Sequence, residues 1–137
     1  MSGAAVLDAS VALAWLLPGE ATSEALALRQ RAVEQAELSL LVPSLFWYEV
    51  GNVLWRAVRQ GRIPEGIAMT GLRALRRFAI ETRHVEVEAC LQLALTYGLS
   101  VYDASYLVLA IGVGGPLWTL NHALAEAVRA RGVLVEP

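Results

Sequence analysis

Short, continuously apolar segments alternate with longer stretches of helical periodicity along the chain. The apolar segments predict strands in residues 4–7, 38–42, part of 82–87, 117–120 and 133–135. Between them, apolar residues recur at intervals of three and four, and turn residues such as Pro18-Gly19 end the repeats. Such alternation is typical of a parallel sheet covered on both faces. The pattern predicts an α/β fold, a three-layer α/β/α sandwich with about four to five short parallel strands.

Capping and breaking residues delimit the predicted helices. Thr22 or Ser23 can begin one helix, Ser44 is predicted to cap another, and Pro64 suits the first turn of a third. Gly98 suits a left-handed helix stop. The predicted helices cover residues 10–17, 22–37, 45–60, 64–78, 87–97, the stretch after Gly98, and 121–131.

The length of 137 residues is that of one ordinary domain, so we expect a single domain over residues 1–137. With 56% hydrophobic and 18% charged residues, disorder is excluded and a large core or a buried oligomer interface is expected. No apolar stretch is long enough for a membrane span, and the opening residues lack the basic charge of a secretory signal. We therefore expect a cytoplasmic protein without membrane association. The single Cys90 cannot form an internal disulfide.

All eleven basic residues are arginines, and they are unevenly distributed. From Arg56 to Arg83 there are seven arginines against Glu65 and Glu81, a net charge of +5, while the remainder of the chain carries −7. Arginine suits bidentate contacts to phosphate, although a solvated helix surface or a compositional bias would explain the same pattern. The candidates for contacts to phosphate groups are Arg56, Arg59, Arg73, Arg76 and Arg77.

Three acids and an amide are predicted to meet at the carboxyl edge of the sheet. Asp8 follows the first strand, Glu49 lies in the second turn of the helix after the second strand, and Asp103 begins a helix. Asn121 follows the fourth strand. Ligands bind at this edge in open parallel sheets. Because the chain has no lysine to neutralise them, converging carboxylates would repel one another without a divalent cation. Mg²⁺ or Mn²⁺ fits an all-oxygen site and can promote phosphodiester hydrolysis.

Each of these residues also has an ordinary structural explanation. Asp8 and Asp103 could cap helices, and Glu49 could belong to an exposed helix stripe. Ser10 and Thr119 could support the carboxylates or a bound water, or act only as local hydroxyls. His84 and His122 show no metal-ligand spacing.

Four segments of the chain resemble the motifs of PIN-domain ribonucleases, particularly the VapC-type toxins of toxin–antitoxin operons. They are residues 6–10, residues 43–52 with Glu49 inside, residues 101–106 and residues 117–121. The most specific is Val101-Tyr102-Asp103-Ala104-Ser105-Tyr106. The resemblance implies an endoribonuclease dependent on Mg²⁺ or Mn²⁺, usually a homodimer, held inactive by a small antitoxin. It also implies that Asp8, Glu49 and Asp103 are the acids of the site, with Asp8 and Asp103 as metal ligands.

One position departs from that pattern. The fourth motif usually carries an acid, and here it carries Asn121, which brings an oxygen but no charge. A PIN-like module that binds RNA or protein with weakened catalysis therefore remains an alternative. Two other acid-rich α/β families are disfavoured. Haloacid-dehalogenase-type phosphatases have a second Asp where this chain has Ser10, and response-regulator receivers need a lysine.

Overall fold

The computed structural model describes residues 3–137, in which five parallel strands form one sheet. The strands are β1 (Gly3–Leu7), β2 (Leu38–Pro43), β3 (Ile80–Arg83), β4 (Leu117–Trp118) and β5 (Val135–Glu136). The helices are α1 (Ala9–Leu16), α2 (Ser23–Glu34), α3 (Leu45–Arg59), α4 (Glu65–Leu75), α5 (Val87–Tyr97), α6 (Val101–Val113) and α7 (His122–Ala130). The strand order is β3-β2-β1-β4-β5, and every pairing is parallel. The predicted α/β sandwich is confirmed.

The helices pack in two groups, as expected for layers on either side of a sheet. Helix α1 contacts α2, α3 and α4, while α6 contacts α5 and α7 and lies against β1, β2 and β4. The apolar strands and the inner faces of the helices form the main core, which includes Val6, Leu41, Phe46, Tyr106 and Trp118. This core fixes the ends of β1 and β4, from which the candidate site is built.

Gly115 marks the closest approach of two backbone segments. A Cβ atom at this position would lie 2.2 Å from the backbone oxygen of Ala4 in β1. The next residue, Pro116, accepts a hydrogen bond of 2.9 Å from the N–H of Val6. Only glycine permits β1 and the chain entering β4 to lie this close.

Several predicted boundaries were wrong, mostly at the edges of the sheet. Strand β3 begins at Ile80, two residues before the predicted segment, and β5 occupies residues 135–136 rather than 133–135. Strand β4 is shorter than predicted, and β2 includes Pro43. Helix α2 ends at Glu34, and α4 ends at Leu75 instead of residue 78.

The predicted cap at Ser44 was also wrong. Its φ of −58° and ψ of −30° are already helical, and its side chain makes no capping hydrogen bond. Capping side chains generally need an extended backbone to reach the free N–H groups of the first turn. Thr22 has that geometry and accepts from the N–H of Ala25 at 3.0 Å, so one of the two predicted starts of α2 is confirmed. Gly98 has a φ of 67° after α5, as predicted.

No single helix within residues 3–137 is both long and apolar enough to cross a membrane. Helices α5 and α6 together have the length and apolar composition of a membrane span, but the chain bends by 108° between them.

Candidate active site

The predicted polar residues come together where the strand order reverses. Strands β2 and β3 lie on one side of β1, and β4 and β5 lie on the other. The carboxyl ends of β1 and β4 therefore border the crevice in which open α/β sheets bind ligands. Asp8 directly follows β1, and Thr119 directly follows β4. The backbone N–H of Asp8 donates to the carbonyl of Trp118 at 2.9 Å, which fixes the spacing of these two strand ends.

Asp8 is held by two hydroxyl groups and does not cap α1. Its side chain makes no hydrogen bond to the helix N-terminus. The hydroxyls of Ser10 and Thr119 instead donate to Oδ2 of Asp8 at 2.5 Å and 2.8 Å. The same hydroxyls accept from the backbone N–H groups of Leu120 and Asn121 at 2.9 Å and 3.0 Å. Ser10 and Thr119 thus connect a buried carboxylate to the loop after β4.

Asp103 is likewise not the cap of its helix. Ser100 takes that place, and its hydroxyl accepts from the N–H of Asp103 at 3.0 Å. Asp103 lies in the first turn of α6, where its Oδ2 is 3.4 Å from Nδ2 of Asn121. Asn121 caps α7 with its Oδ1, which accepts from the N–H of Leu124 at 3.2 Å. Its amide therefore stabilises the start of α7 and approaches Asp103 at the same time.

Glu49 joins the site from α3 through a tyrosine on α6. The hydroxyl of Tyr106 donates to Oε1 of Glu49 at 2.5 Å. Tyr106 is fully buried, and its own pKa is raised by burial and by the charges of Asp8 and Glu49. Its hydroxyl consequently remains a proton donor to Glu49 across the working pH range.

Burial raises the pKa of all three carboxyl groups above their ordinary values. At Asp8 the two hydroxyl hydrogen bonds oppose this rise, and the charge of Asp103 adds to it. At Glu49 the Tyr106 hydrogen bond opposes the rise, and the charges of Asp8 and Asp103 add to it. No arginine or histidine in the described part of the chain forms an ion pair with any of the three. The site therefore concentrates negative charge that lacks a protein counter-charge.

The arrangement of donors fits a divalent cation. The side-chain hydrogen bonds to the carboxylates fall on one oxygen of each, Oδ2 of Asp8, Oε1 of Glu49 and Oδ2 of Asp103. The second oxygens of Asp8 and Glu49 have no side-chain hydrogen bond among residues 3–137. Over the same residues, no three or more His, Cys, Asp or Glu side chains are grouped so as to bind one ion. Because Mg²⁺ commonly binds one or two carboxylates and completes its shell with water, a site with as few as two acids is enough in number of protein ligands.

The predicted arginines lie on α3, on α4 and just after α4, outside this acidic site. Arg56, Arg59, Arg73, Arg76 and Arg77 are all exposed. Arg62 and Arg83, the other two of the basic segment, pair with Glu20 and Glu81. Across the described residues none of the five candidates forms an ion pair, so their charges stay available to a ligand.

A family model of the PIN domain matches residues 5–130 of the chain. The chain belongs to the PIN-domain family. Two curated relatives come from Pyrobaculum aerophilum. Ribonuclease VapC3 is 40% identical over 125 residues, covering 88% of this PIN domain and 92% of the relative. Exonuclease VapC9 is 32% identical over 85 residues, covering 62% of this PIN domain and 64% of the relative. Among its family, the chain is thus a VapC-type PIN domain.

A solved structure agrees with this assignment. The crystal structure of PAE2754 from Pyrobaculum aerophilum has a TM-score of 0.75 and 26% sequence identity. The similarity covers 98% of this PIN domain and 92% of that chain. The overall fold of the PIN domain is therefore shared along almost its whole length.

Tyr106 is the residue of the site that sequence reasoning missed. The sequence pattern places Tyr106 within the motif around Asp103 and predicts no role of its own for it. A signal was available, because a tyrosine hydroxyl on an almost wholly apolar helix needs a buried hydrogen-bond partner. Its partner, Glu49, lies on α3, 57 residues earlier in the chain. A local sequence pattern does not predict that two such distant residues are in contact.

Replacing Tyr106 with Phe should lower the activity of this PIN domain without unfolding it. The ring keeps its packing, but Glu49 loses its hydrogen bond, and a loss of about 10- to 100-fold is expected for such a supporting contact. Since that hydrogen bond lowers the pKa of Glu49, its removal should move the acidic limb of the rate profile to higher pH. Tyr97→Phe is the matched control on α5, and an identical profile for both variants would contradict this role.

Proposed function

We propose that this chain is a metal-dependent endoribonuclease toxin that hydrolyses RNA phosphodiester bonds and is neutralised by a cognate antitoxin. One observation carries the proposal. Three carboxylates lie near enough to influence one another's pKa where the strand order reverses, each with one oxygen in a side-chain hydrogen bond and without a paired arginine or histidine in the described residues. The names of the two relatives, a ribonuclease and an exonuclease, support nucleic acid hydrolysis as the reaction.

Asp8 and Asp103 would hold Mg²⁺ or Mn²⁺ in this proposal. Such an ion, when bound, polarises a phosphoryl oxygen and lowers the pKa of water. The protein's own contribution is orientation. Ser10 and Thr119 hold Oδ2 of Asp8, and Asn121 approaches Oδ2 of Asp103, so the second oxygen of each carboxylate is directed away from these contacts.

Glu49 is the group best suited to accept a proton from the attacking water. Burial raises its pKa above the ordinary value, which makes it a stronger base, and Tyr106 holds Oε1. Oε2 is then the oxygen that would take the proton. The five unpaired arginines would bind backbone phosphates on either side of the cleaved bond, positioning the strand without specifying its sequence.

The partners in this proposal are an RNA substrate, an antitoxin and a second copy of the chain, acting in the cytoplasm. An apolar stripe on α5 supports the homodimer, since Val87, Leu91 and Leu95 recur at helical spacing and are 50–77% exposed. A buried, unpaired Cys90 agrees with a reducing compartment. An antitoxin complex that cleaved RNA as fast as the free protein would contradict neutralisation.

The direct test uses antitoxin-free protein with linear RNA and with circular RNA of the same sequence. We expect cleavage with Mg²⁺ or Mn²⁺, none with EDTA, and cleavage of both substrates, because a circle has no end for an exonuclease. Glu88→Gln, an exposed carboxylate on α5, is the matched control for changes at the acidic site. Cleavage in EDTA would refute metal dependence, and cleavage of the linear RNA alone would assign an exonuclease.

Asn121 favours a second candidate, a PIN-like binding module with weakened catalysis. Its amide points Nδ2 toward Asp103, where an aspartate would add a fourth negative charge. Asn121→Asp should therefore raise the pKa of Asp103 and, because the added negative charge attracts a cation, lower the concentration of metal needed for half-maximal activity. Titration of each protein with Mn²⁺ checks this. If the wild type binds RNA without cutting it and Asn121→Asp cuts, the binding module is the better description.

A further inference from the structure

The structure contains an open groove beside the acidic site that is lined by aromatic rings and a cation. It lies between α3, the end of α4 and the end of β3, and has a volume of about 940 Å³. We call it the aromatic groove, and its principal lining residues are Trp47, Tyr48, Trp55, Leu72, Arg76 and Thr82. None of the contacts described for the acidic site uses its side chains.

Two rings of the aromatic groove, those of Tyr48 and Trp55, face solvent, and the third, that of Trp47, is held by its neighbours. Tyr48 is 80% exposed and Trp55 is 58% exposed, and their spacing of seven residues puts them on one face of α3. Trp47 is fixed by the edge of the Phe46 ring and by a 3.3 Å hydrogen bond from Nε1 to Oγ1 of Thr82. Trp47 is half-buried and packs against the core, whereas Tyr48 and Trp55 face solvent. Solvent-facing aromatic residues of this kind are typical of a binding surface.

Cations border the same rings. Arg76 lies over the Trp47 ring at 5.3 Å and Arg59 over the Trp55 ring at 5.6 Å. Both belong to the five arginines that form no ion pair within residues 3–137. Aromatic rings interleaved with unpaired arginines are the combination by which proteins bind single-stranded nucleic acid, because bases stack on the rings while guanidinium groups contact phosphates.

The groove and the acidic site share helix α3 and one edge of the sheet. Tyr48 precedes Glu49, so the two side chains lie about 100° apart around one turn of α3. Thr82 is near the carboxyl end of β3, at the same edge of the sheet as Asp8. A strand whose phosphate lies at the acids can therefore extend along α3 into the groove.

We propose that the aromatic groove binds unpaired bases of the RNA strand that is cut at the acidic site, an inference that rests on the proposed function. Charge favours this occupant over a second copy of the chain, since two copies would bring like-charged arginines together. The rings of the groove also select for single strands, because bases inside a duplex cannot stack on protein rings.

The test measures binding of a fluorescein-labelled oligouridylate, whose bases are neither paired nor stacked on one another, in EDTA by fluorescence anisotropy. Trp55→Leu should weaken binding roughly 5- to 100-fold, because leucine keeps apolar area but removes the stacking face, and Trp55→Phe should stay close to wild type. Arg76→Gln should reduce the slope of log Kd against log salt by about one. Val33→Ala, a change of an apolar residue on α2 that is 63% exposed against 58% for Trp55, is the control and should have no effect.

Each alternative gives a different result. Equal affinities for Trp55→Leu and Trp55→Phe would overturn stacking and indicate an apolar surface for a partner helix. A change in oligomeric state with Trp55→Leu, measured by light scattering, would assign the groove to self-association. If wild type cleaves RNA and Trp55→Leu binds it normally, the groove proposal fails alone. If wild type neither binds nor cleaves RNA, the proposed function fails with it.

Discussion

Asp8→Asn should abolish RNA cleavage and at the same time stabilise the metal-free protein at neutral pH. Asn keeps the size of the side chain and an oxygen that can accept from Ser10 and Thr119, but it removes the charge that would bind the ion. A loss of roughly 10³- to 10⁴-fold in rate is expected when a group of this kind is removed from a catalytic set. Rate measurements with saturating Mn²⁺ check the first part, with Glu88→Gln as the control that should retain activity.

The stability effect follows from the direction of the pKa shift. Burial raises the pKa of Asp8 above its ordinary value of 3.8, so in the acid range the folded state binds a proton that the unfolded chain has released. The free energy of unfolding of the metal-free wild type therefore falls as pH rises from about 4 through the raised pKa of Asp8. Asp8→Asn lacks this contribution and should be the more stable protein above that range.

Urea unfolding in EDTA at about pH 4 and about pH 7 measures how the free energy of unfolding of wild type and of Asp8→Asn changes with pH. The wild type should lose more stability between these values than Asp8→Asn, and adding Mn²⁺ at the higher pH should restore it only in the wild type. Equal loss in both proteins would contradict an uncompensated, buried carboxylate at Asp8.

Gly115→Ala should destabilise the protein by about 3 kcal/mol, the upper end of the usual range of overpacked sites. The new Cβ would lie 2.2 Å from the backbone oxygen of Ala4, and a backbone atom in a central strand cannot move aside like a flexible side chain. This is a large part of the total stability of a small domain, about 5–15 kcal/mol. Because β1 leads to Asp8, activity near the unfolding midpoint should fall with it.

Gly112→Ala is the matched control for that substitution. Gly112 lies near the end of α6 without a positive φ, and nothing lies within 4 Å of a Cβ built there. Alanine in a helix is favoured over glycine by about 0.5–1 kcal/mol, so this variant should be slightly more stable. Similar unfolding midpoints for the two variants would show that the contact with Ala4 relaxes freely.

The order of strands and helices could be predicted because buried parallel strands are apolar throughout. That rule fails where strands lie at the edge. Three of the four residues of β3 are exposed and two are charged, so its start was missed. At β5 the opposite error occurred, since Leu134 is 75% exposed and an apolar residue there does not mark a buried strand.

The acids of the candidate site could be predicted as a group, but not their supporting contacts. Pattern alone left Asp8 and Asp103 as equally good helix caps, because both stand at helix starts. The structure separates these explanations through contacts between distant segments, from Thr119 to Asp8 and from Tyr106 to Glu49. Such contacts depend on strand order and helix packing, which a local periodicity does not determine.

The two hydroxyls beneath Asp8 also make the loop after β4 a spectroscopic reporter. Ser10 and Thr119 each donate to the carboxylate and each accept from one backbone amide, that of Leu120 or Asn121. The amide protons of these two residues are therefore one hydroxyl away from the charge that changes on protonation or ion uptake. Their NMR chemical shifts would directly follow protonation of Asp8 or binding of an ion at the site, in the absence of RNA.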